Sequence, residues 1–182
     1  MATNLPFSVV RDACHETGVR VILIGGQALG SRGYQRMTLD VDFMIVDTDY
    51  DRLMNAVCAR GFREVVRTHV AAKLRAESGC FVDIDFLFVD AKTFEGVYGD
   101  ATEEDYKEAK FLVPKVEHLI ALKLHAIKQQ PRSRELKDLV DIVELIRANK
   151  IDVCRDAFKS MCLKFGTPEL YHKIRMHGES DG

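Results

Sequence analysis

The chain has no run of about 18 consecutive apolar residues, the length needed to cross a bilayer, so a membrane function is not expected. Its first residues, MATNLPFSVVRDACHE, place no basic segment ahead of a long apolar stretch, and a secretory leader is not expected either. Its five cysteines (Cys14, Cys58, Cys80, Cys154 and Cys162) are odd in number, scattered, and free of any C-x-x-C pair. That usage argues against a disulfide framework or a zinc site and for a reduced, cytoplasmic setting in which they act as small apolar residues. Charge of one sign is also scarce: 26 Lys and Arg face 28 Asp and Glu, a formal net charge of −2. A polyanionic partner would have to be held by a local patch. No internal repeat or low-complexity segment is present. What remains is a 182-residue chain, 47% hydrophobic with interspersed charges, long enough for one sizeable core or for a compact domain with an appendage.

The richest stretch is residues 21–45, VILIGGQALGSRGYQRMTLDVDFMI. Residues 19–24 read as a buried strand, and Gly25-Gly26 then turns the chain into a short helical segment. A glycine pair there lets a ligand approach the backbone closely, and the amides of the next turn can face phosphate. Arg32 and Arg36 lie in the following loop, either as triphosphate contacts or as solvated charge. Asp40 and Asp42 come next inside an apolar run. Strand side chains alternate with period 2, so both carboxylates share a face. Side by side and partly buried they raise each other's pKa, and a divalent cation supplies the missing charge. Residues 80–89, CFVDIDFLFV, repeat the pattern with Asp83 and Asp85. A third carboxylate from this strand would complete an oxygen cage suited to magnesium, and the residues alone leave open which of the two supplies it.

Elsewhere, helices are expected over 6–18, 50–60 and 90–98. Segments 62–70 and 71–76 read as extended, with Arg63, Arg67, Lys73 and Arg75 marking an exposed face or an edge. Residues 99–104 read as a turn and acidic loop, and 109–113 as a short strand. Pro114 opens a helical part, dividing the chain into 1–113 and 114–182. Its first helix carries the stripe Val116, Leu119, Ile120, Lys123, Leu124 and Ile127. A second, 134–149 with Ser133 as cap, carries Leu136, Leu139, Val140, Val143 and Ile146, plus Asp138 and Asp141 on one side. Lys123 interrupts an apolar stripe, so its ammonium must snorkel out to solvent or find an anion: a phosphate, or Asp138 or Asp141. Residues 151–165 and 168–176 are further helices, followed by a frayed tail from 177 to 182. The expected fold class is α+β, a mixed β-sheet flanked by helices and followed by a C-terminal helical bundle.

In this order and spacing, Gly25-Gly26, Asp40-Val41-Asp42 and the aspartate-bearing strand resemble the nucleotidyltransferase superfamily typified by DNA polymerase β. Lys123-Leu124-His125-Ala126 and Lys137-Asp138-Leu139-Val140-Asp141 resemble helical elements of its small prokaryotic branch, which includes abortive-infection-type nucleotidyltransferase toxins. The likeness covers residues 19–146. It implies transfer of a nucleoside monophosphate from a nucleoside triphosphate to an acceptor hydroxyl, with pyrophosphate leaving, dependent on Mg²⁺ or Mn²⁺. It implies Asp40, Asp42 and Asp85 as catalytic, metal-holding residues, and Gly25, Gly26, Lys123 and Asp138 as nucleotide-binding ones. Asp85 is preferred over Asp83 because Asp85-Phe86-Leu87-Phe88-Val89 resembles the family's acid followed by an apolar run. Gly26 departs from the serine that many active members carry. The acceptor is left open among a tRNA or other RNA end, a protein hydroxyl and a small molecule. A toxin-type member implies an antitoxin protein as partner. The rival expectation is a non-catalytic regulatory or adaptor protein that keeps the fold and its nucleotide and metal contacts.

Overall fold

The structure, a computed structural model, describes residues 5–77, 82–106 and 109–178. The chain packs as two compact units: residues up to 31 together with 36–114, and residues 32–35 together with those from 115 onward.

The first unit is built on a sheet. Helix α1 (Leu5–Thr17) covers it with Phe7, Val9, Val10 and Ala13 buried, and helix α3 (Tyr50–Cys58) packs beside it with Leu53 and Val57 inward. Strand β1 (Ile22–Ile24) is shorter than the apolar run suggests. Arg20, within that run, turns outward: it pairs with Glu95, and its guanidinium stacks 4.5 Å from the Tyr98 ring centroid. The short helix α2 (Gly25–Ser31) follows. Strands β2 (Asp40–Val46), β3 (Phe62–Arg67), β4 (Ala71–Ala76) and β5 (Asp83–Val89) complete a five-stranded sheet in the order β1-β2-β5-β4-β3. β2 and β5 are parallel and every other pair antiparallel, so the sheet is mixed as expected. Val41, Phe43, Met44 and Ile45 of β2 and Ile84 and Phe86 of β5 are buried because both strands are central, and Phe43 stacks against Phe86 with centroids 5.8 Å apart. Cys80 and Phe81, assigned to this strand from sequence, lie outside the described residues.

The basic residues of 62–76 mark an edge: β3 is the outer strand, with a bulge between Glu64 and Val66. Thr68 closes the β3–β4 hairpin, its amide donating to Ala71 O at 2.8 Å. Helix α4 (Ala91–Tyr98) is capped by Asp90, which accepts from the Thr93 amide at 2.9 Å. The acidic loop expected over 99–104 is in large part a strand, β6 (Thr102–Tyr106), which pairs with β7 (Ala109–Val113). Its acidic residues hid it: Glu103 and Asp105 are exposed, while Tyr106 on the other face stacks on Phe7 with centroids 5.5 Å apart.

The second unit is helical: α5 (Val116–Gln129), α6 (Pro131–Ala148), α7 (Asp156–Phe165) and α8 (Pro168–Gly178). α6 begins at Pro131, before the expected Ser133 cap, because a proline at the first helical position loses no intrahelical hydrogen bond. The Ser133 side chain is outside the described residues. The inward face of α6 also differs from expectation. Val143 and Ile146 are buried as expected, but Leu136 is 83% exposed and Val140 is exposed too, whereas Asp138, Asp141, Ile142 and Leu145 are buried. These buried positions recur at three- and four-residue spacing, an equally good helical stripe with two acids in it. Asn149 ties residues 32–35 to this unit, its amide donating to Arg32 O at 2.8 Å and to Leu145 O at 2.9 Å. α8 takes in His177 of the expected tail, and 179–182 lie outside the described residues. Burial pushes the thiols of Cys14 and Cys162 up to about 12, so both act as small apolar residues. Among the described residues no helix is long and apolar enough to cross a membrane.

Candidate active site

Strand pairing brings the two Asp-x-Asp pairs into register. Asp40 stands opposite Asp83, and Asp42 opposite Asp85, across the parallel β2–β5 ladder. On the other side of β2, Ile24, the last residue of β1, stands opposite Asp42. The chain must therefore reverse next to the carboxylate, and Gly25 does so with φ +66°, a conformation that disfavours any side chain. A Cβ at Gly25 would overlap the Asp42 carboxylate, so glycine is required on two counts. A Cβ at Gly26 would come within 2.8 Å of Thr38 Cβ and 3.0 Å of Thr38 Oγ1. The space a serine would use at Gly26 is filled by Thr38, whose hydroxyl donates to Asp40 O at 3.3 Å.

Lys73 reaches into the acid pairs from β4, where it stands opposite Asp85. Its Nζ lies 3.1 Å from Asp85 Oδ1, 3.4 Å from Asp83 Oδ2 and 3.5 Å from Asp40 Oδ1. Arg75, two residues on along the same face, adds contacts of 3.4 Å to both oxygens of Asp83. Asp83 is thus held by two cations. Asp85 is not: its Oδ1 is buried 3.1 Å from Lys73 and has no hydrogen-bond partner of good geometry among the described residues. Burial raises the Asp85 pKa; Lys73 pulls it down, Asp40 and Asp83 push it up again, and it ends above the ordinary carboxylate value. For Lys73, burial lowers the pKa, but Asp85, Asp40 and Asp83 more than offset this and hold it above the ordinary lysine value.

In the helical unit the remaining predicted residues meet each other. Lys123 on α5 donates to Asp138 Oδ1 at 2.9 Å and to Asp141 Oδ2 at 2.5 Å. The exposure is 11% for the lysine side chain and 3% and 1% for the two aspartates. Asp138 Oδ2 is buried and has no hydrogen-bond partner among the described residues. Both aspartates, rather than one, answer the lysine that interrupts the apolar stripe.

Residues 10–180 match the family model described as AbiEii, a nucleotidyl transferase toxin of type IV toxin–antitoxin systems. The chain belongs to this family. It is accordingly a nucleotidyltransferase with the family's helical C-terminal part. No curated protein matches it by sequence. Among solved structures, ANT(2″)-Ia in complex with adenylyl-2″-tobramycin has a TM-score of 0.62 at 17% identity, covering 87% of this chain and 98% of that one. The lincosamide antibiotic adenylyltransferase LnuA, lincomycin-bound, has a TM-score of 0.55 at 14% identity, covering 80% and 96%. An antigenic nucleotidyltransferase-like protein from Paracoccidioides brasiliensis has a TM-score of 0.55 at 18% identity, covering 96% and 93%. At these identities the likeness is one of fold.

For this AbiEii-family chain, the residues present can be tested against a divalent metal. Among the described residues no three carboxylate, imidazole or thiolate groups are drawn together as a finished ligand set. The donor chemistry nevertheless fits. Asp40, Asp42, Asp83 and Asp85 with Lys73 and Arg75 sum to a formal charge of −2, all the donors are oxygens, and Asp85 Oδ1 is a buried acceptor without a hydrogen-bond donor. Three residues here were not singled out for the site from sequence: Lys73, Arg75 and Thr38. Lys73 reads as one more cation on an edge hairpin until β4 is placed beside β5, and Thr38 reads as a loop residue until it is seen against Gly26.

Proposed function

We propose that the chain transfers a nucleoside monophosphate from a nucleoside triphosphate to an acceptor hydroxyl, releasing pyrophosphate, with the carboxylates of β2 and β5 holding Mg²⁺ or Mn²⁺. The observation that carries this reading is the pair of Asp-x-Asp motifs in register beside a glycine turn that only glycine can make. Bound there, a divalent ion would supply charge neutralisation and a template for in-line displacement at the α-phosphorus.

The chain's own residues divide the work. Asp40 and Asp42 hold the metal-bound triphosphate in place. Asp85 would hold the ion on the acceptor side and help take the proton of the incoming hydroxyl. It is the better third carboxylate because Lys73 faces both acids whereas Arg75 additionally engages Asp83. Gly25 and Gly26 let phosphate approach the backbone. Lys123 and Asp138, expected from sequence to handle nucleotide, pair with each other within the helical unit, where Asp138 and Asp141 fix where the Lys123 ammonium points.

We further propose that the chain acts as a cytoplasmic toxin countered by an antitoxin protein, a reading supported by the match to a type IV toxin–antitoxin family. For the acceptor, ANT(2″)-Ia and LnuA are described with antibiotics, which favours a small molecule, whereas the toxin family leaves RNA, including tRNA, and protein hydroxyls as candidates. The test is to incubate the protein with Mg²⁺, each labelled nucleoside triphosphate in turn and a cell extract, and to identify what is labelled. Label in one class of molecule is expected with the native protein and none with Asp42→Ala. Equal labelling by Asp42→Ala would sink the reading.

A further inference from the structure

A lysine among three aspartates, in a cluster read as a metal site, asks for its own explanation. Lys73 Nζ is 3.1–3.5 Å from carboxylate oxygens of Asp40, Asp83 and Asp85, which come from two different strands. An ammonium at this point does electrostatically what a metal ion would do: it lets like charges on neighbouring strands stay together. Yet the arrangement does not saturate the cluster. Asp85 Oδ1 accepts no hydrogen bond among the described residues, and the three lysine contacts are longer than charge-assisted hydrogen bonds of about 2.7–2.9 Å. Lys73 is also a third exposed, with a flexible four-carbon stem that can carry its head to water while the strand stays in place.

We propose that Lys73 is a resident counter-cation of the carboxylate cluster: it holds Asp40, Asp83 and Asp85 together before the divalent ion arrives, and the ion displaces its ammonium. This rests on the proposed metal-dependent function and deepens it, because it makes Lys73 a positioning residue that sets how tightly metal is held. The lysine keeps all its protons and moves from the carboxylates to solvent, so the exchange is of one cation for another. It also gives Arg75 a separate job. By staying on Asp83, the guanidinium keeps that acid engaged while Asp85 is freed for the metal.

The experiment uses the full chain without nucleotide. Binding of Mn²⁺ is measured by the loss of the free-ion electron paramagnetic resonance signal for native protein, Lys73→Met and Lys73→Arg. Removal of a positive charge next to the metal position should tighten Mn²⁺ binding about tenfold or more in Lys73→Met, while Lys73→Arg stays within about threefold of native. A folded Lys73→Met that binds Mn²⁺ no more tightly than native overturns the lysine's role while leaving the metal site standing. Absence of Mn²⁺ binding in both proteins overturns the role together with the metal reading. A second measurement needs no variant and so survives a folding failure. Acetylation of Lys73 by acetic anhydride, followed by peptide mass spectrometry, should speed up several-fold at saturating Mg²⁺. An unchanged rate at a metal concentration that saturates the protein overturns the proposal.

Discussion

Two lysines in this molecule each face more than one aspartate, and they do so under different physical conditions. Lys73, on a strand of the sheet unit, is a third exposed and lies 3.1–3.5 Å from three carboxylates. Lys123, on a helix of the other unit, is 11% exposed and donates two hydrogen bonds of 2.9 and 2.5 Å to nearly inaccessible aspartates. Near water, an ion pair is screened and weak, so its partners can exchange one cation for another at small cost. In the interior the same pairing cannot be opened without stranding a charge, so it fixes structure. The residue types are the same in both regions, and solvent access decides whether the cluster is adjustable or permanent.

The largest effect should come from Asp42→Ala, which removes a carboxylate that Gly25 is shaped around. Nucleotide transfer is expected to fall at least about a thousandfold, roughly 4 kcal/mol of barrier, with the melting curve nearly unchanged. A stability loss as large as the activity loss would show the sheet cluster to be as structural as the helical one. Next, Lys123→Met should destabilise the helical unit by about 3–5 kcal/mol in urea unfolding. Replacing Lys123, Asp138 and Asp141 together by Met, Leu and Leu should recover most of it, because no charge is left stranded. A Lys123→Met protein as stable as native would break the contrast between the two lysines.

Gly25→Ala should cost about 1–3 kcal/mol from its positive φ, with further loss from the overlap with Asp42. Gly18→Ala provides the reference, since Gly18 has φ +68° with nothing within 4 Å of an added Cβ. Comparing their midpoints separates strain from clash, and equal losses would remove the close approach from the account.

The smallest effect concerns pH. The folded-state pKa of Asp85 is raised, so its contribution to stability is complete below the unfolded value of about 3.9 and is lost as pH rises through the folded value. Asp85→Asn cannot undergo that loss. Its melting temperature relative to native should therefore increase as pH is taken from about 4 to 7. A difference that shrinks over this range would contradict the raised pKa.

Much of the sheet was legible because its strands are dense in β-branched and aromatic residues between turn signals. The β6 strand was not, since Glu103 and Glu104 read as loop and only pairing with β7 gives them a ladder. The α6 face was misread for a related reason. Leu136-x-x-x-Val140 and Asp138-x-x-Asp141 both satisfy helical periodicity, and the apolar stripe is the default choice. The ammonium of Lys123 on the neighbouring helix reversed it by drawing the acids inward.

Local rules of the chain determined by themselves that Asp40 and Asp42 share a face, that Asp83 and Asp85 do so, and that a glycine turn precedes the first pair, because strand alternation and positive φ are properties of a few consecutive residues. Tertiary structure alone decided that the two pairs align in parallel register, that Lys73 enters between them, and that Asp83 rather than Asp85 is taken by Arg75. Those outcomes depend on which strands lie side by side across some forty residues of sequence, and it is long-range packing that sets them.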